Sequence, residues 1–373
     1  MKLVHMRPLA AVAAVGAIAL TAACGPAGVD RGDSGDSGSG STELSGTLAG
    51  SGASSQEAAQ NGWIAGFTEA NPGVQVSYDP TGSGTGREQF LNSTVLFAGS
   101  DAALDAEEID AARERCFGGE ALELPLYISP IAVIYNLPDV DAEHVNLTPQ
   151  ALAGIFAGEI TSWDDPAIAD ANPGVELPDL DVVPVNRSDD SGTTENFTEY
   201  LDAVAPGVWT HGAVETWPIG GTVSGAQTSG MVDVVGSQEG AIGYADASRT
   251  EDLGTAAIGV GDEFVPYSAE AAAAIVDASP ATEDATDLRL TIELERDTTA
   301  SGTYPIVLIS YLLACSTYDD QADADNVAAY LSYLASADGQ ARAAEPDVAG
   351  SAPISDSLHE RVEAAIDQIA AAS

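Results

Sequence analysis

The sequence predicts a layered α/β protein with a largely parallel sheet and room for two domains. Three observations carry this expectation. Short apolar runs alternate with amphipathic segments from Glu43 to the end of the chain. A turn of small residues recurs three times, each time between an apolar strand and an amphipathic helix. Of the 373 residues, about 350 remain once an N-terminal leader is set aside, enough for two ordinary domains.

Residues 1–23 read as a secretion signal, with Lys2 and Arg7 ahead of an apolar run from Leu9 to Leu20 and small residues before Cys24. That run falls short of the roughly 20 residues a bilayer-spanning helix needs, and no later stretch is long and uncharged enough. The mature protein is therefore expected to be soluble apart from its start. Leu20-Thr21-Ala22-Ala23 before Cys24 resembles a lipobox, with Thr21 where that pattern prefers leucine. The resemblance implies lipidation of Cys24, ordinary cleavage nearby being the alternative. Two acyl chains, at about 0.8 kcal/mol per buried methylene, would hold the protein durably on a membrane.

The segment 24–42 is almost all Gly, Ser, Asp and other small residues and reads as a flexible tether with a reach on the order of 25 Å. Its Gly32-Asp33-Ser34-Gly35 is similar to the nucleophile loop of trypsin-like proteases, but no apolar strand surrounds it, so it is assigned to the tether. Leu44 to Ala49 is the first strand, followed by a helix with Ala59, Trp63 and Phe67 at four-residue spacing. Val74 to Tyr78 is the second strand. Ile128 to Asn136 is a nearly continuous apolar strand, and Val182 to Val185, Ala241 to Tyr244 and Tyr304 to Leu313 are further buried candidates. Ala322 to Ala335 and Leu358 to Ala372 are helical by period.

Net charge is −46, from 58 acidic and 12 basic residues, and loss of Lys2 and Arg7 with the acid-free leader makes the mature form more negative still. Beyond Cys24 there is no lysine, only scattered arginine. A nucleic-acid partner is excluded, because a phosphodiester backbone needs clustered cations. Any anion must bind against the global field, through short-range hydrogen bonds that screening over about 8 to 10 Å barely touches. Cys116 and Cys315 are too far apart, and too poor in neighbouring histidine, for a zinc pattern. In an exported protein a disulfide between them is expected, two buried thiols being the alternative.

The three turns are Gly50-Ser51-Gly52-Ala53-Ser54-Ser55, Thr81-Gly82-Ser83-Gly84-Thr85-Gly86 before a helix at Arg87 to Leu91, and Arg187-Ser188-Asp189-Asp190-Ser191-Gly192-Thr193-Thr194 before a helix at Asn196 to Val204. The first amides of a helix lack intrahelical acceptors, and the macrodipole places roughly half a positive charge there, so an anion is a natural occupant. Each turn alone is equally consistent with an ordinary capped helix. Arg187 is the cation chosen for the site, because its planar fork can donate two parallel hydrogen bonds to an oxyanion. Asp189 could hold that fork. Arg87 is the alternative cation and is expected on the surface. Asp101, after Phe97-Ala98-Gly99-Ser100, would be the only acid facing the ligand. An ionised carboxylate can only accept a hydrogen bond, so it suits an anion that still carries a proton, as phosphate does near neutral pH and sulfate does not.

Together with Ile160 to Pro166, Asn172-Pro173-Gly174 and Gly240 to Tyr244, these segments closely resemble the phosphate-binding proteins of Pst-type ABC importers, from about Leu44 to the C-terminus. The resemblance implies a type 2 periplasmic-binding-protein fold: two α/β lobes joined by two crossings, one lobe combining 43–129 with 301–373 and the other spanning 130–300. It implies phosphate contacts from Ser54, Ser55, Ser83, Asp101, Arg187, Ser191, Gly192 and Thr193, with Asp189 steadying the arginine. Ser55 stands where the family often has an aromatic residue, and Asp190 where it often has glycine. Asp190 would add charge near the anion or demand an unusual backbone angle.

The expected function is capture of inorganic phosphate, by a monomer lipid-anchored to the outer face of the cell membrane, for the permease subunits of an ABC importer. No cofactor and no metal are expected. The alternatives are a binder of another oxyanion, such as sulfate or molybdate, and a phosphate-ester enzyme. The second lacks its tools, since there is no lysine for a phosphate-cradling loop and His144, His211 and His359 are isolated. Asp323-Ala324-Asp325 lacks the glycine of a calcium loop and is expected to start a helix.

Overall fold

The computed structural model describes residues 44–250 and 252–372. The leader over 1–23, Cys24 and the tether over 24–42 lie outside the described residues. Strand β1 (Gly46–Gly52) passes through a 3-10 turn, Ser54–Gln56, into α1 (Glu57–Ala70), where Ala59, Trp63 and Phe67 are buried on one face. Strand β2 (Val74–Asp79) leads into α2 (Ser83–Leu91), which starts at Ser83 rather than at Arg87. Gly82, at φ 100°, closes the turn by itself, so the residues after it are free to be helical. Strand β3 (Phe97–Ser100) precedes α3 (Ala106–Arg115), opened by a capping box between Asp105 and Glu108.

Strand β4 (Ala121–Tyr135) is buried along its whole length and begins well before the expected Ile128. Glu123 and Pro125 hide that first half from a hydrophobicity reading. Glu123 is accommodated because it accepts from the Leu104 amide at 2.7 Å and pairs with Arg289 at 2.5 Å. The chain continues through β5 (Val145–Leu147), α4 (Pro149–Phe156), α5 (Pro166–Ala169), β6 (Val183–Arg187), α6 (Gly192–Val204), β7 (Val223–Gly225), α7 (Gln227–Ser237), β8 (Ala241–Asp246), β9 (Gly254–Val260), β10 (Glu263–Val265) and α8 (Ala269–Ala278). It closes with β11 (Val307–Cys315), β12 (Thr317–Tyr318), α9 (Gln321–Ala335), α10 (Ala337–Ala344), α11 (Asp356–Ile366) and β13 (Ala370–Ala371). Asp323 and Asp325 lie in the first turns of α9, capped by Asp320. The last helix stops short of the expected Ala372, because the amides of Ala370 and Ala372 donate instead to Ser316 and Tyr318.

The main sheet runs β2-β1-β3-β11-β4-β8-β6-β7, with β9 joining β4, β5 and β10. It is mixed rather than largely parallel. Parallel pairs (β1 with β2 and β3, β6 with β7 and β8) flank a centre in which β11 is antiparallel to β3 and β4, and β4 to β8 and β9. Strand direction leaves no mark on an apolar run, so the sequence could not show this. β4 is shared: Ala121 to Pro130 pairs with β11, and from Ile131 its partner becomes β8. The Cys116–Cys315 disulfide, with Cα atoms 5.2 Å apart, fastens the end of α3 to the end of β11. Among the described residues no helix is long and apolar enough to cross a membrane.

Candidate functional site

The three turns converge. Ser55 Oγ donates to Asp101 Oδ1 at 2.7 Å, Thr193 Oγ1 donates to Asp101 Oδ2 at 2.7 Å, and the Asp101 amide donates to Ser83 Oγ at 3.1 Å. Gly192 completes the meeting point: a Cβ there would lie 2.8 Å from both Ser83 Oγ and Asp101 Cβ, so only glycine permits this approach. Ser191 caps α6 by accepting from the Thr194 amide at 3.2 Å, leaving the first helical amides, those of Gly192 and Thr193, without an intrahelical acceptor. The Ser54 hydroxyl turns elsewhere, to Thr228 Oγ1 at 2.9 Å in the first turn of α7. The eight residues implied as phosphate contacts, Arg187 among them, are all buried.

Arg187 closes β6 and is only 3% exposed. Its Nε donates to Asp189 Oδ1 at 2.9 Å and its Nη2 to Asp189 Oδ2, a pairing that does not use Nη1. Asp189 is itself held by the amide of Gln227 at 2.9 Å. Gln227 adopts φ 61°, a value uncommon outside glycine, and so presents that amide to the carboxylate. Asp190 is exposed, accepts from Thr216 Oγ1 at 2.5 Å, and needs no unusual backbone angle: the non-glycine residues of positive φ among those described are Ser93, Phe117 and Gln227.

Burial pushes the Asp101 carboxyl above the usual carboxylate range, while the Ser310, Ser55 and Thr193 hydroxyls and the Arg187 charge pull it back. An acid so surrounded by donors is kept available as an acceptor. Among the described residues no group of three or more His, Cys, Asp or Glu is placed to hold a metal.

Arg87 corrects an expectation: it is buried, not on the surface. Its Nε donates to Glu108 at 2.9 Å, and Nη1 and Nη2 grip Glu215 at 2.8 and 2.7 Å. Burial works against its charge, but pairing with Glu215 and Glu108 outweighs that and holds the guanidinium above its ordinary value. Both acids are remote in sequence or in an unrelated helix cap, which is why the pairing was not foreseen. Ser310 was also missed. It lies in the apolar strand β11 and donates to Asp101 Oδ1 at 2.5 Å. The available signal was a small hydroxyl inside a fully buried run, which must find a partner. Asn196, third among the unforeseen groups, donates to the Asp101 carbonyl at 2.7 Å.

The family model that matches this chain is the PBP superfamily domain, over residues 37–338. Phosphate-binding protein PstS2 of Mycobacterium bovis (strain BCG) is 34% identical over 339 residues, which cover 89% of this chain and 90% of that protein. Phosphate-binding protein PstS 3 of Mycobacterium leprae is 35% identical over 329 residues, 87% of either chain. Phosphate-binding protein PstS of Xylella fastidiosa is 33% identical over 282 residues, 74% of this chain and 73% of its own. The fold is similar to that of a high affinity periplasmic phosphate-binding protein (PfluDING) bound with phosphate, at TM-score 0.68 and 21% identity over 86% of this chain and 93% of the other. A phosphate binding protein from Stenotrophomonas maltophilia superposes with TM-score 0.66 at 20% identity, covering 86% and 94% of the two chains.

Proposed function

The chain belongs to the phosphate-binding PstS proteins of the PBP superfamily, and from that premise we propose that it captures inorganic phosphate outside the cell membrane and delivers it to the permease of an ABC importer. The fold is of the type 2 periplasmic-binding-protein class. The reading of the site rests on one observation above others: a buried carboxylate, Asp101, stands among helix N-termini and beside Arg187, where an anion is otherwise favoured. A dry carboxylate facing an anion is tolerable only if the anion brings a proton to share. Hydrogen phosphate does. Sulfate would leave two sets of acceptor oxygens opposed, with no hydrogen between them.

In this proposal Ser54, Ser55, Ser83, Asp101, Arg187, Ser191, Gly192 and Thr193 hold the phosphate, and Asp189 keeps the guanidinium in plane. The lobes 43–129 with 301–373 and 130–300 close over it, one crossing falling where β4 exchanges β11 for β8 and the other ahead of β11. The protein works as a monomer, anchored through lipid on Cys24 by the tether 24–42, and catalyses no reaction.

Titration calorimetry with both anions tests the core of this. Phosphate should bind with a dissociation constant of about 1 μM or tighter, near −8 kcal/mol, and sulfate at least roughly a hundredfold more weakly, as expected when a polar site is left mispaired. Asp101→Asn should narrow that gap. Equal affinities for the two anions in the unaltered protein would sink the assignment and favour a general oxyanion binder. Turnover of a phosphate ester that vanishes in Arg187→Ala would instead make it an enzyme.

A further inference from the structure

We infer that Ser310, Gln56, Gln60 and Tyr330 form a one-way hydrogen-bond chain that locks Asp101 as a pure acceptor, and that these positioning residues, none of them among the eight ligand groups, set the discrimination between phosphate and sulfate. The chain begins at the Tyr330 hydroxyl on α9, which donates to Gln60 Oε1 at 2.8 Å. Gln60 Nε2 donates to Gln56 Oε1 at 2.9 Å, Gln56 Nε2 to Ser310 Oγ at 2.7 Å, and Ser310 Oγ to Asp101 Oδ1 at 2.5 Å. Tyr330, Gln60, Gln56 and Ser310 are fully buried, so water cannot substitute for a missing partner and each link must be made within the protein.

The sense of the chain is not arbitrary. A serine hydroxyl has a single proton; because Ser310 accepts from Gln56, that proton is free to go to Asp101. The Gln56 amide is oriented independently, since its Nε2 also faces the Tyr311 carbonyl at 3.5 Å, which can only accept. Reversal would turn the Ser310 hydroxyl toward Gln56 and set its lone pairs against the Asp101 carboxylate at hydrogen-bond distance. That arrangement is comfortable only if Asp101 is protonated. Protonated, Asp101 would become a donor and accept sulfate as readily as phosphate. The chain thus ties the ionisation of one carboxylate to an amide orientation two hydrogen bonds away and to a hydroxyl on α9. The charged and titratable groups around Asp101 are Tyr78 of β2 and Arg187 of β6, with Glu195 and Glu199 of α6, Arg296 and Tyr311 of β11 lining a cavity that Asp101 also borders.

This inference rests on the phosphate reading, and the experiment separates the two. Calorimetry of phosphate and sulfate from pH 5 to 8 is run on the unaltered protein, Ser310→Ala, Ser310→Thr and Tyr330→Phe. In Ser310→Ala the phosphate-to-sulfate affinity ratio should fall at least tenfold, and sulfate binding should set in about one pH unit higher, because the ionised form has lost a donor. Ser310→Thr, which keeps the hydroxyl, should restore both. Tyr330→Phe should lower the ratio in the same direction by about threefold, although that hydroxyl touches no ligand group. If Ser310→Ala does not fold, Tyr330→Phe decides. Equal weakening of both anions with an unmoved pH profile, or an unchanged ratio in Tyr330→Phe, overturns the chain while leaving phosphate binding intact. Failure of the unaltered protein to prefer phosphate overturns the reading beneath it.

Discussion

Glu195 carries an electrostatic load that the ligand groups do not. Burial, together with the charge of Glu215 and then of Glu199, lifts its carboxyl to about 7, against the lowering pull of Arg87 and Arg296, and its Oε2 is buried without a hydrogen-bond partner. In the unfolded chain the same group should titrate near its ordinary value, about 4.3. The folded state therefore binds the proton more tightly between those values, and stability falls as pH rises through that window, remaining lowered above about 7. Glu195→Gln should remove the effect, raising stability by on the order of 2 kcal/mol at pH 8 and leaving it nearly unchanged at pH 4. Thermal melts at the two pH values check this, and an equal gain at both would show that packing rather than ionisation is responsible. Asp101 differs in kind: three hydroxyls donate to it and Arg187 lies near, whereas Oε2 of Glu195 receives no hydrogen bond.

At the level of elements, the site depends on how closely the start of α6 approaches the start of α2. The contact is set by Gly192, which brings the α6 amides against Ser83 and Asp101. Gly192→Ala should leave α6 itself nearly as stable, since alanine suits a first helical turn, but its Cβ, 2.8 Å from Ser83 Oγ and Asp101 Cβ and 2.9 Å from the Ala102 amide, forces the start of α6 away from them. The substitution should therefore weaken phosphate binding by roughly a hundredfold or more, as expected when donors are displaced from a dry anion site. Calorimetry beside a melt without phosphate distinguishes the two effects; matching losses would mean that the glycine serves folding only. Opposite the α6 contact, α2 also contributes Arg87 to Glu215, so this helix meets the 130–300 part of the chain through both its first turn and its second.

Over the whole molecule, the long shared strand β4 joins the parts that the ligand groups bridge, while the disulfide fastens two segments of the same proposed lobe. Contacts such as Arg87 to Glu215 and Ser54 to Thr228 join the two proposed lobes, so phosphate should shift the population toward the closed form. Small-angle scattering should give a smaller radius of gyration with phosphate than without, and Glu215→Ala should lessen the difference; identical profiles would argue against closure. The sequence by itself determined the alternation of strands and helices, the three turns and, through motif likeness, Asp101 and Arg187 as the groups of interest, because periodicity and small-residue turns are local properties. It also marked Cys116 and Cys315 as partners. Tertiary structure alone decided the mixed direction of the sheet, the burial of Arg87 between Glu108 and Glu215, and the place of Ser310 beneath Asp101. Each of those depends on which distant segment supplies a charge, a ladder or a lone pair, and pairing between remote residues leaves no pattern along a single chain.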